Sequence, residues 1–452
     1  VLHRAHYQHR EKYTNYLRAE EKMPTRRGLA AAAALAAGLA VLVPAAAQAD
    51  APAPQTVDSA TVYTITGLNS VAKRTSVARS GVDVLSADHG IMTVRATKEQ
   101  AAKLRAAGFR LIADTDVLKR LAERSKGKKP GDFPPADSGY HNYDEMVAEI
   151  TKAAQDHPDI VQVSSIGTSY EGRDIPLVKI SDSAAVDEDE PEVLFTCNMH
   201  AREHLTTEMC LHIVNRFTDG YDSDPKIKSL VDTAEIWVVP MVNPDGVEYD
   251  IATGQYRFWR KTRKPNEGSQ YVGTDINRNF SYKWGCCGGS SGHPGAEDYR
   301  GAAPEDQPET KAITTFVDSR VIDGEQQIKG HIDFHTFSEL VLWPFGHTTD
   351  ETTDGMTEEE AARFRRVGTR MAKSNGYTPE QASDLYITDG DINDWMWGKH
   401  KILSFCFEMY PSSGGIDGFY PPDEVIERET SRNDGAVDIL LEEVGAGSGT
   451  AG

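Results

Sequence analysis

The stretch Phe195-Thr-Cys-Asn-Met-His-Ala-Arg-Glu-His204 constrains this chain more than any other. Val193, Leu194 and Phe195 lead into it as an apolar run that reads as a buried strand. Just beyond, His200 and Glu203 stand three residues apart. An imidazole and a carboxylate at that spacing can close on one metal ion. Their nitrogen and oxygen donors suit Zn²⁺, and a catalytic zinc needs only three protein ligands, leaving a position for water. The same letters fit two other parses. His200-Ala-Arg-Glu-His204 is also H-x-x-E-H, in which both histidines bind metal and the glutamate is the base. A plain strand-end histidine beside a surface ion pair fits as well. The choice rests on the remaining catalytic parts downstream.

Those parts are present. Gly330-His-Ile-Asp-Phe-His335 ends an apolar run in a histidine, which completes a His₂Glu set with an open fourth position. His331 is the weaker ligand candidate, because it lies inside the strand. Phe405-Cys-Phe-Glu408 puts a carboxylate where another apolar run ends. A glutamate there would have a raised pKa and could act as general base. Phe258-Trp-Arg260-Lys-Thr-Arg263 and Asp275-Ile-Asn277-Arg278 supply cations, and arginine is the usual fork for a carboxylate or a developing oxyanion. Gly288-Gly-Ser-Ser-Gly292 formally matches G-x-S-x-G, but no apolar strand leads into it, so it reads as a glycine-rich loop.

Charge divides the chain. The net charge is −21 over 452 residues, yet residues 1–131 carry 21 Lys and Arg against 11 Asp and Glu, which is +10 and leaves −31 for the rest. An acidic body is a poor nucleic-acid binder, whereas a basic front and an acidic body attract each other. The front carries an export signal. Met23-Pro-Thr-Arg-Arg27 is a basic n-region, Gly28 to Val43 an apolar h-region, and Ala47-Gln-Ala49 a cleavage site. It is too short and too alanine-rich for a membrane span, which leaves a secreted, extracellular protein with no membrane contact once the signal is cut. Residues 1–22 read as an upstream start-site artefact, and 23–49 as the signal peptide. Five cysteines leave at least one thiol unpaired. Cys197, Cys210 and Cys406 sit in apolar runs and read as core residues. The vicinal Cys286-Cys287 could be bonded to each other, bonded elsewhere or free.

Residues 50–131 read as a small α+β module followed by a basic connector. Thr61–Ile65 and Phe109–Ala113 are expected strands, Lys98–Gly108 an expected helix, and Lys126-Gly-Lys-Lys-Pro130 a protease-sensitive link. From Tyr140 onward strands and helices alternate, so residues 132–444 read as an α/β domain with a largely buried sheet. Expected strands are Glu192–Thr196, Glu235–Val242, Gly330–His335 and Ile402–Phe407; Asp423–Val444 is an expected closing helix. His200, Asn243, His335 and Glu408 all fall at strand ends, where open α/β sheets collect ligands. Residues 445–452 read as a flexible tail.

Seven motifs in fixed order then carry a resemblance: H-x-x-E, Asn-Pro-Asp-Gly, Trp-Arg-Lys-Thr-Arg, Asp-x-Asn-Arg-Asn, Phe-His-x-x-Ser, Tyr-x-x-x-Gly-x-x-x-Asp-Trp and Phe-x-Phe-Glu. Together they resemble the zinc metallocarboxypeptidases of the carboxypeptidase A/B type, nearest to the secreted bacterial branch typified by carboxypeptidase T. The resemblance runs from Asp132 to about Val444. It implies a mixed, mostly buried sheet flanked by helices. His200, Glu203 and His335 would hold one Zn²⁺, and a zinc-bound water would cut the C-terminal bond of peptides and proteins with Glu408 as general base. Arg260 would hold the oxyanion, Asn277 and Arg278 the terminal carboxylate, and Tyr386 would cap the site. Arg202 would bind substrate further from the cut bond, and Asp275 would orient a zinc histidine. Leu385 and Thr388 would wall the side-chain pocket with Asp391 at its base, giving broad specificity: apolar and aromatic residues plus Lys and Arg. Residues 50–131 would be an inhibitory propeptide, and the enzyme a monomer. Thr336-Phe337 departs from the Ser-Tyr or Thr-Tyr of many relatives. Asp187, Glu188, Glu190 and Glu192 are candidate ligands of a structural Ca²⁺, since crowded hard oxygens suit that ion. A relative acting on cell-wall peptides would share the zinc site but read a different terminal residue.

Overall fold

The computed structural model describes residues 60–124, 131–253, 255–353 and 355–447. The expected signal peptide, the residues before it, the basic link 125–130 and the end of the tail lie outside the described residues. The N-terminal module is a four-stranded sheet of β1 (Thr61–Thr66), β2 (Asp83–Asp88), β3 (Ile91–Ala96) and β4 (Leu111–Asp114), in the order β2-β3-β1-β4 with antiparallel neighbours. Helices Val71–Ala78 and Lys98–Ala106 accompany it. Thr97 and Gln100 close the second helix with a reciprocal capping box, which satisfies two otherwise orphaned backbone donors. The β2–β3 hairpin has no clear alternation in sequence and was not expected.

The main sheet has eight strands: β5 (Val161–Thr168), β6 (Asp174–Ile180), β7 (Glu192–Cys197), β8 (Glu235–Val239), β11 (Ile328–Thr336), β12 (Leu340–Trp343), β13 (Thr378–Gln381) and β14 (Leu403–Met409). The short pair β9 (Val321–Ile322) and β10 (Glu325–Gln326) stands apart from it. The order is β13-β12-β14-β11-β7-β8-β6-β5, parallel across β14-β11-β7-β8 and antiparallel at β12/β14, β8/β6 and β6/β5. It is the expected mixed sheet. Its central strands are buried along almost their whole length because both faces are covered, and β7, β8 and β14 are mostly apolar whereas β11 also buries His331, Asp333 and His335. Phe195, Phe334, Phe405 and Phe407 are fully buried in one cluster, and Leu194, Ile313 and Trp395 in another.

Two expectations change. Asp423–Val444 is not one helix but short helical turns from Asp423 to Ser431 followed by a helix Asp434–Gly447, which also passes the expected boundary at Gly445. The break sits at Asn433, whose amide bonds Asn375 of another helix and the Glu429 carbonyl. Tertiary partners for a polar side chain override a continuous helical pattern here. Cys197 and Cys210 are buried as expected, and a bond between them ties the end of β7 to the helix Leu205–Gly220, whereas Cys406, also expected in the core, is only partly buried. Cys286 and Cys287 are bonded to each other, and Cys406 is free.

Candidate active site

Parallel pairing of β7, β11 and β14 brings three strand ends together. His335 and Glu408 are direct register partners across β11 and β14, and Cys197 pairs with Phe334. Beyond β7, Asn198 takes a left-handed backbone (φ 54°), which asparagine tolerates better than most residues. Its amide donates to the Glu203 carbonyl at 3.2 Å. This turn aims His200 and Glu203 at His335.

The three side chains converge. Glu203 Oε1 lies 2.9 Å from His200 Nδ1, and Oε2 lies 2.9 Å from His335 Nδ1. The ring centroids are 4.6 Å apart and all three residues are buried. Burial alone would raise the Glu203 carboxyl. The flanking imidazoles outweigh burial and hold it well below the usual carboxylate range. Two nitrogens and a carboxylate within 4.8 Å of one another, with the ring Nε2 atoms turned away, fit the donor set of a four-coordinate zinc. His200 Nε2 meets Asp275 Oδ1 at 3.0 Å, and Asp275 Oδ2 accepts from Arg260 Nε and Nη2 at 3.1 and 2.9 Å. Asp275 therefore holds His200 and Arg260 together.

The remaining candidates share one cavity of about 110 Å³ with the metal cluster: Arg260, Asn277, Arg278, Leu385, Tyr386, Thr388, Asp391 and Glu408. Burial, helped by the Glu203 charge against the pull of His335 and Arg260, pushes Glu408 up to about 8. Asn277 Oδ1 accepts from the Ile392 backbone at 2.9 Å, and its amide nitrogen faces His335 Nε2 at 3.2 Å. Gly390 (φ +69°) packs on the carbonyl of Arg278, where an added Cβ would sit 2.6 Å away. A glycine is needed there to let the chain after Tyr386 approach Arg278. Asp391 caps the helix Ile392–His400 through Asp394 N at 2.9 Å and accepts from Thr388 Oγ1 at 3.1 Å. Burial and the nearby Asp394 push it up to about 7.

Arg202 is the exception. It is wholly buried, and both its Nη atoms bond Asp83 of the N-terminal module at 2.8 and 2.9 Å. Val84–Ala87 of β2 then wall the cavity. The helix Val71–Ala78 holds the Tyr386 loop, with Arg74 Nε donating to the Leu385 carbonyl at 2.5 Å and Thr75 Oγ1 accepting from Ile387 N at 3.1 Å. Leu340, Leu342 and Leu385 join the core of the small sheet.

Other readings separate cleanly. His204 turns away to Asp250 at 2.9 Å, so H-x-x-E-H does not assemble. Ser290 of the glycine-rich loop is bonded to Asp389. His331 faces Thr196 and Ser404 rather than the metal cluster. The acidic run is divided. Asp187 and Glu192 pair with Arg320 at 2.6 and 2.5 Å, whereas Glu188 and Glu190 gather with Asp182, which the sequence reading missed. The four expected calcium ligands are therefore not brought together: Glu188 and Glu190 lie with Asp182, and Asp187 and Glu192 lie with Glu235 and against Arg320. Sequence reading also missed Asp333 and Asp83, each a lone carboxylate in an expected or unrecognised strand.

The sequence model of the zinc carboxypeptidase family matches residues 146–434. The chain is 51% identical over 424 residues to the zinc carboxypeptidase of Saccharothrix mutabilis subsp. capreolus, covering 92% of this chain and 96% of that one. It is 32% identical over 293 residues to carboxypeptidase B of Rattus norvegicus, covering 64% and 67%. The fold matches the crystal structure of carboxypeptidase A from Helicoverpa armigera with a TM-score of 0.71 at 22% identity, over 86% of this chain and 98% of that one. The chain belongs to the zinc carboxypeptidase family, and it is a metallocarboxypeptidase that hydrolyses peptides at their C-terminus.

Proposed function

We propose that this chain is exported as a proenzyme and, once trimmed near Gly131–Asp132, removes C-terminal residues of broad type. The observation that carries the catalytic reading is Glu408 in one cavity with the His200/Glu203/His335 cluster and Arg260. Zinc held by the two histidines and Glu203 would supply a Lewis acid to water and to the scissile carbonyl. Arg278 and Asn277 bind the terminal carboxylate, and the Tyr386 loop closes over it. Glu408 accepts a proton from water as its oxygen attacks the carbonyl carbon, then passes that proton to the leaving amine. Burial suits this residue to both directions of transfer. Arg260, braced by Asp275, meets the negative charge that develops on the carbonyl oxygen. The test is release of single residues from free-ended peptides. Equal cleavage of C-terminally amidated peptides would overturn it.

Latency is supported by the Asp83–Arg202 pair. It spends the substrate-binding arginine on the N-terminal module and leaves a cavity well below the roughly 300 Å³ of common ligand pockets. Untrimmed protein should be nearly inactive, and Asp83→Ala should make it leaky. Untrimmed protein as active as the trimmed form would refute the reading. Export is supported by the expected signal sequence and by two disulfides among the described residues. No helix among the described residues is long and apolar enough to cross a membrane. Asp391 in the pocket supports acceptance of Lys and Arg beside apolar residues. The exposed cluster Asp182, Glu188 and Glu190 is proposed as a structural Ca²⁺ site.

A further inference from the structure

Both ligand histidines turn Nδ1 towards Glu203 and point Nε2 away. For His200 the far nitrogen meets Asp275. For His335 it meets Asp333 Oδ2 at 2.5 Å. Asp333 lies two residues earlier on β11, so its side chain leaves the strand on the same face as that of His335. It is wholly buried between Ile332 and Phe334. A carboxylate inside an apolar strand is costly unless it is well bonded.

Its other oxygen is already committed. Oδ1 accepts the Thr196 hydroxyl proton at 2.6 Å. That hydroxyl can accept from His331 Nε2–H at 2.9 Å, and His331 Nδ1 can accept from Ser404 Oγ–H at 2.8 Å. Asn393 Nδ2 donates to Ser404 Oγ at 2.9 Å. The donors run in one direction when His331 is neutral, and burial does push His331 down to about 4. Two groups face His335 Nε2, the Asn277 amide nitrogen at 3.2 Å and Asp333 Oδ2 at 2.5 Å, and only the nearer one, the carboxylate oxygen, can accept a proton from it.

We propose that Asp333 is a positioning residue of the metal centre. It fixes the His335 tautomer that leaves the Nδ1 lone pair free for the ion and holds the ring in plane, as Asp275 does for His200. The inference rests on the reading of His200, Glu203 and His335 as zinc ligands. Stoichiometric zinc in the trimmed parent enzyme is therefore measured first, and its absence would sink that reading and this one together. Zinc dissociation constants then come from competition with a chromogenic chelator. Asp333→Asn should weaken zinc by about 10- to 100-fold, in the range of Asp275→Asn. The cobalt-substituted Asp333→Asn enzyme should also show a shifted visible spectrum. Should Asp333→Asn fail to fold, Thr196→Val removes the donor to Oδ1 and should weaken zinc by a few-fold. An unchanged zinc constant in the variant that folds would overturn the proposal. So would intact zinc affinity with turnover lost only for terminal Lys and Arg, which would make Asp333 a pocket carboxylate instead.

Discussion

Strand β7 has a candidate metal cluster beyond each end, and the two are built on opposite principles. Past its C-terminal end, His200, Glu203 and His335 are buried and already bonded to one another. Before its N-terminal end, Asp182 is exposed while Glu188 and Glu190 are partly so. In the first, imidazoles flank a carboxylate and hold its pKa well down despite burial. In the second, burial and then the charges of Glu188 and Asp182 push Glu190 up to about 7, and its Oε2 has no hydrogen-bond partner. The buried cluster is preorganised for an ion that does chemistry. The exposed one gathers like charges, which either a proton on Glu190 or an added cation would relieve.

The sharpest way to break the contrast is selective chelation. A zinc-directed chelator should abolish peptidase activity, and added Zn²⁺ should restore it. A calcium-selective chelator should leave turnover intact at moderate temperature. Loss of turnover with the second reagent alone would mean that both clusters serve the chemistry. Next in size is Glu408→Gln, which should retain zinc and lose about 10²- to 10⁴-fold in kcat. Metal analysis beside single-turnover kinetics would check it, and near-normal kcat would remove Glu408 as the base.

Asp391 stands between the two extremes, buried like Glu203 but raised like Glu190. Asp391→Asn should lower kcat/KM for terminal Lys and Arg while leaving Leu and Phe nearly unchanged. Equal losses for both classes would leave it only its role as a helix cap.

Two smaller effects belong to the exposed cluster. Ca²⁺ at a hundredfold excess over its dissociation constant should add about 2.7 kcal/mol, read as a rise in Tm. Glu190→Gln should cancel that rise and spare kcat/KM. Without calcium, pH should matter as well. The folded state holds the Glu190 proton more tightly than the unfolded chain, so stability falls as pH rises from about 4.5 to about 7. Thermal melts with and without Ca²⁺ across that window would test the sign; a Tm that rises with pH in calcium-free protein would refute it.

Much of the candidate site was legible because each member sits at a local signal. His200 and Glu203 share one turn, and His335 and Glu408 end apolar runs. Asp333 was not legible, since one acidic letter inside Gly330–His335 carries no sign of which histidine nitrogen it will meet. Asp83 was equally silent, as its partner Arg202 lies 119 positions away. The acidic run was plain in the sequence, but only the fold shows that Arg320 takes Asp187 and Glu192 while Glu188 and Glu190 lie with Asp182.

By itself the sequence determined the alternation of strands and helices, the candidate His₂Glu donor set and the strand-end position of Glu408, the proposed base. These depend on periodicity and on chemistry within a few residues, which the chain carries wherever it goes. The tertiary structure alone decided which carboxylate braces each histidine, where the Asp423–Val444 segment breaks and what occupies Arg202. Those outcomes depend on pairings between distant strands and helices. A buried charge accepts whatever partner the fold delivers, because remaining unpaired would cost more.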